Sequence, residues 1–122
     1  TELAGLPTPK QVEGRSLKRL LDKPLTQWNG SAITQVLRPA DDRLKDPVMG
    51  RSIRTERWRY SDWGEGKYGE ELYDHFADPM EFNNLALNPT KENRRIIKML
   101  KKELTEKASG KVPTTPFNPK RL

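Results

Sequence analysis

The larger apolar and aromatic side chains gather in a few short stretches separated by polar, proline and glycine-rich connections. The densest is residues 49–63, MGRSIRTERWRYSDW, rich in β-branched, aromatic and arginine residues with glycines near either end. Its parity is informative. Ile53 sits at an odd position and Trp58 and Tyr60 at even ones, so one uninterrupted strand would point them to opposite faces. A reversal or bulge at residues 55–57 removes the conflict and predicts a hairpin. The turn is unusual, because no Gly or Asn there supplies the positive φ that a two-residue hairpin turn prefers.

Two neighbouring stretches extend this to a sheet. Residues 32–37 carry Ile33, Thr34, Val36 and Leu37 and are closed by Pro39, a β-prone run that can pair with the hairpin. Residues 40–47 read as an exposed connection. After the hairpin, Gly64, Gly66 and Gly69 mark a flexible loop, and residues 71–76 form another strand with Leu72 and Phe76 on one face. Three or four antiparallel strands result.

Helical spacing is clearest after Asn88-Pro89, with Asn88 as N-cap and Pro89 in the first helical position, where its missing N–H costs nothing. Ile96, Ile97, Leu100 and Leu104 make an apolar stripe that should lie on the sheet, while Arg94, Arg95, Lys98, Lys101 and Lys102 cover the rest. Glu103 and Lys107 are four apart and can pair; Ser109-Gly110 ends the helix. Upstream, Gly5 and Pro7 stop what reads as the end of a helix in residues 1–6, which predicts that the chain is a piece of a longer one. Ser16 can cap a short helix carrying Leu17, Leu20 and Leu21, which Pro24 terminates. The expected architecture is α+β: a small antiparallel sheet packed against one C-terminal helix. Residues 1–31 form a linker with a short helix, residues 32–108 the folded unit, and residues 109–122 an extended tail.

Composition sharpens this picture. A third of the 122 residues are hydrophobic and a third are charged, with ten prolines and a mean hydropathy of −0.93, so the ordered centre is small and its connections long. The net charge of +6 attracts polyanions, whether nucleic acid, acidic lipid or sulfated glycan. Without cysteine there is no disulfide, thiolate metal site or cysteine nucleophile, and the redox compartment stays undecided. No run of about eighteen apolar residues could span a membrane. The first ten residues lack the basic and apolar regions of a signal peptide.

Candidate chemistry is sparse. His75, the one histidine, has Asp74, Asp78 and Glu81 close in sequence, but Asp74 and His75 would point to opposite faces of a strand, and ligand spacing is lacking. Asp78 and Glu81 read better as turn and helix-start residues that bond backbone N–H groups. Arg51, Arg54, Arg57 and Arg59, interleaved with Trp58 and Tyr60, could grip sulfate or phosphate while an aromatic face stacks on a sugar or base. The alternative is that the aromatics are core and the arginines are solvated or paired with Glu56, Asp62 and Glu65. No glycine-rich phosphate loop, nucleophile elbow or His-Glu zinc motif is present.

Two stretches carry a family resemblance. ELYDHFADPMEFNNLA, residues 71–86, resembles the ELYD-x-x-x-DP-x-E-x-x-NLA signature near the C-terminus of type I sulfatases, and RSIRTERWRY is similar to the strand pair that precedes it. LAGLPTPKQVEGRSLKRLL, residues 3–21, is similar to the segment joining the catalytic α/β domain of that family to its C-terminal subdomain, and the ensemble most resembles the iduronate-2-sulfatase branch. The resemblance implies a parent enzyme that hydrolyses sulfate esters on a glycan. It would use a formylglycine made from the Cys or Ser of a C/S-x-P-S-R motif and a calcium ion, in a periplasmic, secreted or lysosomal setting. No C/S-x-P-S-R motif and none of the family's metal-ligand positions occur in this chain, so no catalytic or metal residue is carried over.

The expectation is therefore a C-terminal sulfatase subdomain, inactive alone, that braces the catalytic domain. Arg54, Arg57, Trp58 and Arg59 are the candidates for lining the cleft of a sulfated glycan. The alternative is an independent basic module binding nucleic acid or another polyanion; nucleic acid is the disfavoured partner, and no membrane is expected. Copies of the isolated fragment should associate through apolar residues meant for the rest of the protein.

Overall fold

The computed structural model describes residues 1–12, 14–27 and 30–108. Four antiparallel strands, β1 (Ala32–Arg38), β2 (Val48–Arg54), β3 (Trp58–Trp63) and β4 (Glu70–Asp74), form one sheet in the order β1-β2-β3-β4. Helix α2 (Lys91–Ala108) covers one face, so the α+β architecture is as the sequence predicts. The register explains why. Ile33 pairs with Ile53, Ile53 with Tyr60, and Tyr60 with Leu72, which places four apolar side chains in one row across the sheet. Leu100, Leu104 and Ala108 of α2 close over that row, with Ile96 and Ile97 packed at its margin.

The reversal predicted at residues 55–57 is present and uses no positive φ. Side chains take the place of turn glycines. The Thr55 N–H donates to the Trp58 carbonyl at 2.9 Å, and the Trp58 N–H donates to Thr55 Oγ1 at 2.9 Å. Arg54 Nη1 donates to the carbonyl of Thr55, to that of Glu56 at 3.1 Å and to that of Trp58 at 3.4 Å.

The row beside the apolar one is ionic. Arg51 holds the fully buried Asp62 through Nε at 3.1 Å and Nη2 at 2.8 Å. Next to it, Glu70 accepts from the Tyr60 hydroxyl at 2.7 Å and from Lys101 of α2 at 2.6 Å. Burial, and then Glu70, push the Tyr60 phenol far above its ordinary pKa. Lys101, followed at some distance by Tyr60, holds the Glu70 carboxyl below the usual range. Arg51, Asp62, Tyr60, Glu70 and Lys101 thus all meet partners across the sheet or from the helix.

Several boundaries differ from those expected. The cap of α2 is Thr90, whose Oγ1 accepts the Asn93 N–H at 3.1 Å, so Asn88 and Pro89 lie before the helix rather than opening it. Strand β4 ends at Asp74, and Phe76 is 69% exposed in the turn beyond it instead of sharing the buried face with Leu72. The short helix α1 (Lys18–Asp22) has Leu17 at its cap position, with Ser16 Oγ accepting the Lys18 N–H at 3.2 Å. Residues 1–6 hold a single 3-10 turn, Glu2–Ala4, closed by Gly5 at φ 67°. The loop at residues 64–69 is closed by backbone bonds, including Trp63 N–H to the Gly69 carbonyl at 3.1 Å. The expected helix stop at Ser109-Gly110 and the tail of residues 109–122 lie outside the described residues.

Candidate functional site

The four candidate residues come from the hairpin tip, and the pleat distributes them over both faces of the sheet. Arg54 and Arg59 are direct cross-strand partners on the face away from α2. Trp58 points to the helix side, where it packs partly buried against the core. Arg57, in the turn, donates from Nε to Asp74 Oδ1 at 2.9 Å and from Nη2 to Oδ2 at 2.6 Å, and lies over the rings of Trp58 and Phe76 at 4.6 and 5.6 Å. The Arg57 guanidinium, helped by the Phe76 and Ala77 N–H groups, holds the Asp74 carboxyl below the usual carboxylate range.

On the opposite face Arg59 lies 5.4 Å from the centre of the Tyr73 ring and is ion-paired with Glu81. The other Glu81 oxygen is 2.5 Å from His75 Nε2. Glu81 has a φ of 60°, an uncommon conformation for a non-glycine residue, so the loop bends at this point to deliver its carboxylate to both Arg59 and His75. The sequence expectation that Glu81 starts a helix and bonds backbone N–H groups is thereby corrected. Asp78 does accept backbone donors, the Asn83 N–H at 2.8 Å foremost, and its carboxyl is depressed by them. Arg59 Nε is buried with no hydrogen-bond partner among the described residues.

Asp74 and His75 do diverge to opposite faces, toward Arg57 and Glu81 respectively. Among the described residues no group of three or more His, Asp or Glu side chains is placed to hold a metal ion. Arg51 pairs with Asp62 and reaches Glu65 at 3.9 Å, as the core reading of the arginines expects. Asn84 went unnoticed in the sequence. Its Oδ1 accepts the Leu72 N–H at 3.1 Å and the Ala86 N–H at 2.9 Å, while Nδ2 donates to the Glu70 carbonyl at 3.2 Å, so it blunts the free edge of β4. Its signal was the fixed spacing to Glu81 in the E-x-x-N motif.

An open groove of about 990 Å³ runs between α1 and the hairpin tip, lined by Leu17, Leu20, Leu25, Ser31, Arg54 and Thr55 among others. Arg54 is the one candidate residue in its wall.

The model for the C-terminal region of N-sulphoglucosamine sulphohydrolase matches residues 1–110. A Δ4,5-hexuronate-2-O-sulfatase from Bacteroides thetaiotaomicron is 33% identical over 88 residues, covering 72% of this chain and 18% of that protein. A crystal structure from the same species, of a protein assigned to the sulfatases, superposes with a TM-score of 0.58 at 28% identity, covering 94% of this chain and 25% of the other. A structure solved with its substrate D-glucosamine-2-N,6-O-disulfate shares the fold, with a TM-score of 0.63 at 22% identity over 92% of this chain and 23% of its own. The chain therefore spans between about a fifth and a quarter of the length of these relatives.

Proposed function

Since the chain belongs to the family of N-sulphoglucosamine sulphohydrolase C-terminal domains, we propose that it is the C-terminal subdomain of an enzyme that removes sulfate from a glycan, and that its own role is to brace the catalytic domain. The observation that carries the bracing role is the internal engagement of the hairpin cations. Arg57 is held by Asp74, Arg59 by Glu81, and Arg54 by three turn carbonyls, so the side chains best suited to grip a sulfate are used to fix the sheet. Such a sheet offers a rigid support for a larger partner surface.

The chemistry belongs to the rest of the polypeptide. Sulfate ester hydrolysis needs an activated oxygen nucleophile and a cation near the sulfuryl oxygens. The sequence has no C/S-x-P-S-R motif and no metal-binding cluster occurs among the described residues, so this reading puts the formylglycine and the calcium ion in a portion of the polypeptide outside this chain. The names of the relatives support a 2-O-sulfated uronate or an N-sulfated glucosamine as the substrate, and the sequence resemblance to the iduronate-2-sulfatase branch favours the uronate.

One observation favours a further role in substrate contact. Arg54 lies in the wall of a groove whose volume of about 990 Å³ is in the range of small-ligand sites. Kinetics of the full-length protein on sulfated disaccharides test both roles. Removal of residues 32–108 should abolish activity and leave the catalytic portion insoluble; retention of full activity would overturn bracing. Arg54→Ala should raise KM with little change in kcat if Arg54 contacts substrate, and an unchanged KM would exclude that contact.

A further inference from the structure

We propose that the loop of residues 75–87 is the docking surface for the remainder of the same polypeptide, through Phe76, Met80 and Phe82; this rests on the reading of the chain as a sulfatase subdomain. These three side chains are 69%, 70% and 81% exposed, and Leu87 near the end of the loop is also exposed. Large apolar side chains presented this close together mark an interaction surface more often than a solvated one.

The polar frame under them is the second observation. Asp74 accepts the Phe76 N–H at 3.1 Å, Asp78 accepts the Asn83 N–H, Asn84 ties the loop to β4, and Glu81 bridges Arg59 and His75 at a left-handed φ. Leu85 and Ala86 anchor its far end against the core. A loop held at this many points, with its apolar side chains turned outward, is preorganised, which lowers the ordering cost of binding. The N-terminal segment also exposes leucines, but among the described residues its backbone hydrogen bonds are local ones.

The occupant follows from length and charge. The relatives are about four times as long as this chain, so most of the polypeptide is available to cover the loop. A second copy could cover the loop only where the rest of the polypeptide is missing, as expected of the isolated fragment, and the net charge of +6 on each chain opposes it. The partner surface should be apolar, to match Phe76, Met80 and Phe82.

This stretch of the polypeptide contains no cysteine, so an introduced thiol within it can be followed by the peptide that carries it, whatever thiols lie elsewhere. Phe82→Cys and, on the outer surface of α2, Lys98→Cys would be placed in the full-length protein and labelled with a maleimide, the modified peptide being identified by mass. The expected result is labelling at residue 82 at least ten-fold slower than at residue 98 in the native protein and equal rates in urea. Equal native rates would overturn the proposal, as would protection that disappears on dilution together with a shift to monomer, since that assigns the surface to a second copy. Met80→Cys is the replacement probe should Phe82→Cys fail to fold. Loss of the sulfatase reading itself would show separately, as a full-length protein without activity on sulfated disaccharides whatever its labelling pattern.

Discussion

Arg54 and Arg59 stand directly opposite each other across the β2–β3 pair, yet each guanidinium is drawn away from the other. Like charges in that position oppose pairing, at a cost of a few tenths of a kcal/mol to about 1. Here Arg54 folds back over the turn carbonyls and Arg59 reaches Glu81 across the face of Tyr73. Arg54 therefore replaces the glycine that the turn lacks. Arg54→Ala should destabilise the fold by about 1–3 kcal/mol, because carbonyls of the turn lose a charged donor, with Arg54→Lys intermediate. Urea unfolding followed by tryptophan fluorescence checks this, and a change below about 0.5 kcal/mol would show that the turn holds without it.

Arg51 and Asp62 make a different case, since Asp62 is fully buried. Removing one member of a buried pair leaves an uncompensated charge, so Asp62→Ala should cost about 3–5 kcal/mol. Replacing both, as Arg51→Met with Asp62→Leu, should recover most of that loss. A double-mutant cycle on unfolding free energies measures the coupling; two additive single effects would contradict it.

The sheet and helix were legible because parity is unforgiving: Ile53, Tyr60 and Leu72 can share a face only if the chain reverses near residue 56. The spacing of Leu100 and Leu104 likewise announced the face of α2. What was not legible depends on contacts remote in sequence. The roles of Glu81 and Asn84 arise from a loop folding back on β3 and β4, and local turn rules assigned Glu81 to a helix start that does not exist. Phe76 was misplaced because strand periodicity was extended past Asp74, where the side chain of Asp74 caps a turn instead. The caps failed for a simpler reason: Asn88 and Thr90 are both good N-caps, and only the backbone path chooses between them.

Acid should weaken the fold through Asp74 and Glu70. Both carboxyls titrate below their ordinary values, Asp74 because of Arg57 and Glu70 because of Lys101. A carboxylate with a lowered native pKa stabilises the fold above its unfolded value, about 4, and that stabilisation is lost as pH falls toward the lower native value. Thermal melts between pH 6 and 2 should show the midpoint falling below about pH 4, with a shallower decline in Asp74→Asn. An identical pH profile for that variant would remove Asp74 from the account.

At the alkaline end the sign reverses. Burial raises the Tyr60 phenol, so its contribution is complete below about pH 10, the unfolded value, and declines as pH rises beyond it. Tyr60→Phe should flatten the loss of stability above that pH while lowering stability at neutral pH through the hydrogen bond lost to Glu70. Denaturant midpoints at pH 7 and pH 11 separate the two effects. Equal losses at both pH values would show that the phenol does not titrate with unfolding.

Gly50 offers the sharpest packing test. Its neighbour across the strand pair is Trp63, whose ring lies against the glycine so closely that an added Cβ would sit 2.6 Å from a ring carbon. The obstacle is a bulky indole rather than the tip of a flexible chain, and the backbone at Gly50 has no positive φ to complicate the outcome. Gly50→Ala must therefore displace Trp63 or bend β2, which should cost about 1–3 kcal/mol, the usual range for overpacking. Gly14→Ala is the control, with nothing within 4 Å of its added Cβ and no positive φ, and should be neutral or slightly stabilising through the unfolded chain. Urea midpoints, together with a shift in the tryptophan emission of Gly50→Ala alone, check the pair. If both glycines accept alanine equally, the indole does not pack on β2 as described.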